Sequence, residues 1–302
     1  MFLKRLLEIL FLACLWAPSF LFTKIAIQEI DPITVVALRV GLGGLLLLLF
    51  IKIKGIKFPN NPKFWIHGTV LGFLVNGFPF VCYSYSVHYI PTSLSALING
   101  TVPILTVILA NLFLEDEKMT WYRGFGVLLG FIGFLIVFLP SLFENQAGFQ
   151  GEGLGILLAS LGSCSYAIGM VYARKFVKGA PPLIIPAIQV LSSVIYLAPV
   201  ALIFEWPQNV LGASLPVLGA ICGLAIMGTA LAFIMYHRIV TQYGATSLSM
   251  VTYLLPVLAT ILGVLFLNES IGLRFWVATA LILAGILVVN MRRAPRVVAE
   301  SN

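Results

Sequence analysis

Ten apolar runs, each close to the length of a membrane crossing, govern what this chain can become. They fall at 6–27, 33–51, 64–87, 93–113, 124–139, 153–173, 183–204, 215–236, 245–267 and 275–290. A helix needs about 20 residues to cross the hydrocarbon of a bilayer. The runs are too long, and alternate too little, to be membrane strands. Charged residues make up 10% of the chain, against roughly 25% in a soluble domain. A chain of this kind cannot cover its own surface with polar groups. The expected fold is therefore an all-α integral membrane protein of ten transmembrane helices.

Connections between the runs are short, so chemistry must lie within the bundle or in tight loops. The first run follows Lys4 and Arg5, as in a signal peptide. It continues through Ile27 with no clear small-residue cleavage site, and reads as the first span. Charge then tests the count. With the N-terminus cytoplasmic and ten spans, fifteen of the eighteen Lys and Arg fall on the inner side. Arg274 alone falls on the outer side, and Lys24 and Arg39 lie within helices. That partition follows the positive-inside rule and places both termini in the cytoplasm, at a cell inner membrane. The net charge of +7 is thus a topological signal, not a nucleic-acid site. Cys14, Cys82, Cys164 and Cys222 sit in apolar runs without metal or CxxC spacing. No metal or cofactor is expected.

The second half of the chain repeats the first. Pro103 matches Pro256, Leu112-Phe113-Leu114 matches Leu265-Phe266-Leu267, and Glu117 matches Glu269 with one extra residue in the first copy. Gly133 and Gly285 follow their glutamates at equal spacing. Upstream, Phe80 and Tyr83 match Phe233 and Tyr236, while Pro32 and Arg39 match Pro182 and Gln189. The expected division is residues 1–140 as a first repeat, 141–152 as linker, 153–291 as a second repeat and 292–302 as a cytoplasmic tail. Five helices per unit is an odd number. The two units therefore enter the membrane from opposite sides and form two inverted five-helix repeats. Inverted repeats are a recurring basis of transport, because the pair can exchange conformations about a central site.

The same residues resemble the drug/metabolite transporter superfamily, EamA type, over nearly the whole chain. The most recognisable part is a small-polar helix start, a proline, then a Leu-rich run into Glu. Here it is Thr92-Ser93, Pro103 and Leu112 to Glu117, repeated at Ala245-Thr246-Ser247, Pro256 and Leu267-Asn268-Glu269. The opening Leu15-Trp16-Ala17-Pro18-Ser19-Phe20 with Lys24 is similar to the family's first helix. Two features depart from the pattern: Glu115-Asp116 precede Glu117, and no basic residue follows Glu269 directly. The resemblance implies a permease for amino acids or similar metabolites and leaves the substrate open.

Arg39 is the sharpest candidate for substrate binding. A charge in mid-span is costly against lipid, so it must face the interior, where a guanidinium can grip a carboxylate or phosphate. The bland alternative is a fixed bond to carbonyls. Asn76, Phe80 and Tyr83 share one helical face, repeated by Thr229, Phe233 and Tyr236. Asn99, Pro103 and Thr106 form another, repeated by Thr252, Pro256 and Thr260. These faces are expected to enclose a central cavity, with Trp16, Tyr166 and Tyr253 as weaker contributors. Interhelical hydrogen bonding is the alternative for the polar members. Lys24 is expected to reach the interface. Pro103 and Pro256 are candidate bends for gating, and Glu117 and Glu269, at opposite faces, are candidate latches.

The leading expectation is a secondary transporter, not an enzyme, whose partners are a small molecule and the lipid bilayer and whose state is a monomer or weak dimer. An intramembrane enzyme would need paired carboxylates, a HExxH or a Ser/His pair at active depth. A channel would need a polar ring or a filter sequence. Neither pattern is present in the sequence. A buried carboxylate relay for proton coupling is likewise missing, since Glu8 lies close to the inner surface.

Overall fold

A computed structural model describes residues 2–115, 119–143, 151–177, 183–205, 210–243 and 245–290. The ten spans are α1 (Leu3–Ala26), α2 (Pro32–Ile53), α3 (Pro62–Tyr89), α4 (Thr92–Phe113) and α5 (Trp121–Phe143) in the first half. The second half holds α6 (Glu152–Phe176), α7 (Ile184–Phe204), α8 (Leu215–Tyr243), α9 (Ala245–Leu267) and α10 (Leu273–Asn290). Chain direction alternates. One face of the bundle, here the terminal face, carries the start of α1; the far face carries the turns between α1 and α2 and between α3 and α4. Large apolar side chains point outward, with Leu45 63%, Ile195 75% and Phe204 76% exposed. Such a shell suits lipid rather than water.

Packing follows the inverted repeat. α2 pairs with α7, α4 with α9 and α5 with α10, each helix against its own counterpart. α1 packs on α8 and α9, and α6 packs on α3 and α4. Exchanging the two halves leaves this pattern unchanged.

Backbone irregularities sit at corresponding places. α3 carries one π-helical turn at Gly72–Gly77, and α8 carries one at Ile226–Leu231. Such turns disturb the normal bonding and leave carbonyls in need of donors. Gly72 O accepts from Tyr196 and Ser193 hydroxyls of α7, at 2.9 and 3.1 Å. Leu74 O accepts from Ser165 of α6 at 2.7 Å. The two prolines differ. α4 is interrupted at Gly100–Thr101 and resumes at Val102, so Pro103 opens its second segment. Pro256 lies inside a continuous α9.

The α5–α10 contact is a direct backbone approach. A Cβ at Gly285 would stand 2.6 Å from Gly126 O and 2.7 Å from Gly130 N. Neither atom can rotate away, so even one methyl must separate the helices. Gly285→Ala is expected to destabilise the protein by about 1–3 kcal/mol, the usual range for overpacking. Gly124→Ala, with nothing within 4 Å of the added atom, is the neutral comparison. Thermal unfolding of both variants in detergent checks the contrast.

Candidate functional site

Between the two halves lies a cavity of about 430 Å³. Its wall reaches the terminal face at Val177 and Ile185, where α6 ends and α7 begins. Toward the far face it stops at Thr23, Tyr83 and Asn99. Of the residues singled out in the sequence, Trp16, Arg39, Asn76, Phe80, Tyr83, Asn99, Tyr166, Phe233 and Tyr236 line it. Thr229 stands behind the wall as a partner of Arg39. Pro103 and Pro256 are outside the lining; their neighbours Val102 and Leu255 are in it. Thr106 and Thr260 return their hydroxyls to Val102 O and Pro256 O of their own helices. Glu117 and the side chains of Thr252 and Tyr253 lie outside the described residues.

Arg39 is 8% exposed. Its Nε donates to Thr229 Oγ1 and its Nη2 to Gly228 O, both at 3.2 Å. The guanidinium carbon sits 3.9 Å from the centre of the Phe80 ring, a cation–π contact. The π-turn of α8 provides both oxygens, and the residues of α3 next to its own π-turn provide the ring. Arg39 is therefore held in place while retaining N–H groups that face the cavity.

Tyr83 organises a second polar group. Its hydroxyl donates to Asn99 Oδ1 at 2.9 Å and shares a hydrogen bond with Ser163 Oγ at 2.9 Å. Phe20 meets its ring edge-on at 5.6 Å between centroids. Tyr83→Phe keeps the ring packing and removes the hydroxyl from both partners. A loss of about 1–2 kcal/mol is expected in unfolding free energy, as for other buried hydrogen-bond deletions. A urea or thermal unfolding series reads it.

The far face is held by carboxylates. Glu205, just past α7, accepts from Ile33 N at 3.0 Å, Thr34 N at 2.7 Å and Thr34 Oγ1 at 2.9 Å, all at the start of α2. Tyr85 adds a fourth hydrogen bond at 3.0 Å. Glu269, just past α9, accepts from Thr92 N at 2.6 Å, Thr92 Oγ1 at 2.7 Å and Ser93 N at 3.1 Å at the start of α4. Helix N-termini present unpaired N–H groups and a partial positive charge, which a carboxylate satisfies. Glu29 takes Ser214 N at the start of α8, at 2.7 Å. The hydrogen bonds from Ser214 hold the Glu29 carboxyl below its usual range. Lys24 donates to Val87 O, so it bridges α1 and α3 instead of reaching the interface. At the terminal face, Arg238 pairs with Glu8 at 2.9 Å.

Sequence reasoning named Glu269 as a latch but gave Glu205 no role. The missing signal is subtle: an acid just past one helix and a Pro-opened helix start elsewhere. Ser19 was noted only as part of a motif, yet its Oγ is buried in the cavity wall without a partner among the described residues. Among those residues no cluster of His, Cys, Asp or Glu could hold a metal ion.

An inverted-repeat helical bundle around a central cavity defines the class as a multi-pass membrane transporter. The chain matches the EamA-like transporter family over residues 4–139 and 153–291, and it belongs to that family. It is a transporter and not an enzyme. A WAT1-related chloroplastic protein of Arabidopsis thaliana is 30% identical over 276 residues, covering 88% of this chain and 65% of that protein. The chain thus spans about two thirds of that relative. The uncharacterized transporter YyaM of Bacillus subtilis is 28% identical, covering 81% of this chain and 80% of its own. The uncharacterized inner membrane transporter YedA of Escherichia coli is 24% identical, with 92% and 87% covered. A solved crystal structure shares the fold with a TM-score of 0.67 at 22% identity, covering 94% of this chain and 96% of that one.

Proposed function

We propose that this protein is a secondary transporter of amino acids or similar small metabolites at a cell inner membrane, working by alternating access. The reading places both termini, and therefore the terminal face, in the cytoplasm, following the charge partition of the loops. The cavity then opens inward, and the far face is the closed outer gate. One observation carries the proposal: a cavity lined by a buried cation lies between the repeats and reaches one face, while Glu205 and Glu269 accept hydrogen bonds from helix starts at the other. Arg39, Asn76, Phe80, Tyr83, Asn99 and Tyr166 are the proposed substrate contacts, joined by Trp16, Phe233 and Tyr236. Opening the outer side requires the α2 and α4 helix starts to leave their carboxylates. The segment break before Pro103 and the proline in α9 are the places where α4 and α9 bend. A monomer is sufficient, since one chain encloses the whole cavity.

Counterflow tests the reading. Proteoliposomes preloaded with unlabelled substrate should accumulate labelled substrate transiently and saturably. A channel equilibrates label without overshoot, and absence of flux across a broad metabolite panel would remove the transport proposal.

A further inference from the structure

Three features of the cavity wall remain unexplained by the fold. Arg39 is the only charged residue lining it among the described residues, and no Asp or Glu accompanies it. Of its five N–H groups, two are engaged, by Thr229 and Gly228. Second, Ser19 Oγ is buried and unpartnered. A Cβ at Gly228 would lie 2.7 Å from Ser19 Oγ and 3.4 Å from Arg39 Nη2, so hydroxyl and guanidinium converge on the same place. The glycine lets both groups come close to the α8 backbone, where a side chain would not fit. Third, Asn76 is 0% exposed, and neither its Oδ1 nor its Nδ2 has a partner among the described residues.

The repeat sharpens the third feature. Asn76 corresponds to Thr229, each within its π-turn, and Gln189 corresponds to Arg39. The Arg39–Thr229 pair is bonded, whereas the Asn76 amide is buried in the cavity wall without a partner among the described residues. One end of the site is cationic; its symmetry mate is a neutral carboxamide. An unpaired buried amide is costly, so a ligand that bonds it gains affinity by relieving that cost.

We infer, resting on the transport reading, that the substrate is an organic monoanion with a carboxylate at one end, an apolar or aromatic body and no free ammonium group. The carboxylate accepts from Arg39 and Ser19 beside Gly228. The body lies along Phe80 and Tyr166. A neutral hydrogen-bonding group reaches Asn76. The charge count decides between anions: one guanidinium balances one negative charge, and a phosphate dianion would keep an uncompensated charge in a low-dielectric site. The same argument excludes an ammonium, since no carboxylate lines the described wall to receive it. Among amino-acid-like metabolites this selects those whose nitrogen is absent or acylated.

The test compares four probes on the intact wild-type protein: 3-phenylpropionate, phenethylamine, phenylalanine and phenyl phosphate. Ligand-induced thermal stabilisation and intrinsic tryptophan fluorescence, to which Trp16 in the cavity wall contributes, read binding without needing flux. The acid is expected to bind at least tenfold more tightly than the amine, with phenylalanine and phenyl phosphate both weaker than the acid. Ser19→Ala is expected to weaken the acid by threefold or more and to leave the amine unchanged. Equal or tighter binding of the amine or of phenyl phosphate overturns the inference. Binding of phenylalanine without the acid also overturns it and leaves the transport reading standing. Silence of all four probes, with counterflow of some other metabolite, overturns the inference alone.

Discussion

Replacing Arg39 by Gln is expected to weaken substrate binding by about 10- to 100-fold, the effect of losing a hydrogen-bonded charge worth roughly 1.5–3 kcal/mol. The side chain is 8% exposed and lies in the wall of the cavity, so its charge acts with little screening by water. Glutamine is the residue at the corresponding position of the second repeat, Gln189, and therefore suits a helix of this environment. The substitution leaves a carboxamide able to donate to Thr229 or Gly228. Unfolding stability should change little, because the lost interactions are offset by removal of a desolvated charge. Arg39→Lys should recover part of the affinity, since it restores charge without the planar fork. The decisive comparison is the ligand-dependent shift in unfolding temperature beside the KM for transport. A fall in apo stability with an unchanged ligand shift would assign Arg39 a purely structural role.

The second large effect belongs to the far face. Glu205→Ala with Glu269→Ala removes seven hydrogen bonds, four of them to backbone N–H groups at helix starts. With hydrogen bonds to charged groups worth about 1.5–3 kcal/mol and water replacing part of each loss, a net change near 3 kcal/mol is a conservative expectation. That corresponds to a shift of roughly 100-fold toward a conformation open at the far face. Spin labels at Tyr89, the last residue of α3 and three residues before Thr92, and at Ser270, next to Glu269, both exposed, report the separation of the α3–α4 turn from the end of α9. A longer, broader distance distribution in the double variant is expected, with the wild type short. Unchanged distances would mean that the carboxylates cap helices without holding a gate. Glu269→Gln distinguishes charge from geometry: the amide oxygen still accepts one bond, so the opening should be smaller than for alanine.

Much of this architecture is legible along the chain because it follows from solvent preference. Twenty-residue apolar runs must cross a bilayer, and an odd number per repeat must invert the second unit. Arg39 is predictable as interior for the same reason, since a mid-span charge has nowhere else to go at acceptable cost. The face of α3 that carries Asn76, Phe80 and Tyr83 follows from helical spacing, and all three line the cavity. The reading is less successful where hydrogen-bond partners matter. Thr229, the repeat mate of Asn76, turns away from the lumen to Arg39. Lys24 finds Val87 O in place of the interface. Pro103 and Pro256 are alike in sequence, but one follows a helix break and the other does not.

The amino-acid sequence by itself therefore determined the number of spans, their inversion and the burial of a single cation between them, because each depends only on length, parity and the cost of charge in lipid. Tertiary structure alone decided which polar groups are satisfied and which stay open. Glu205 meets the start of α2 across 171 residues of chain, and Ser19 and Arg39 converge only where Gly228 allows it. The physical reason is that local periodicity sets which face a side chain occupies, whereas a hydrogen bond depends on a partner brought within about 3 Å by the packing of another helix. Ser19, Asn76 and the free edge of Arg39, unpartnered in the cavity wall, are the groups the proposed substrate would engage.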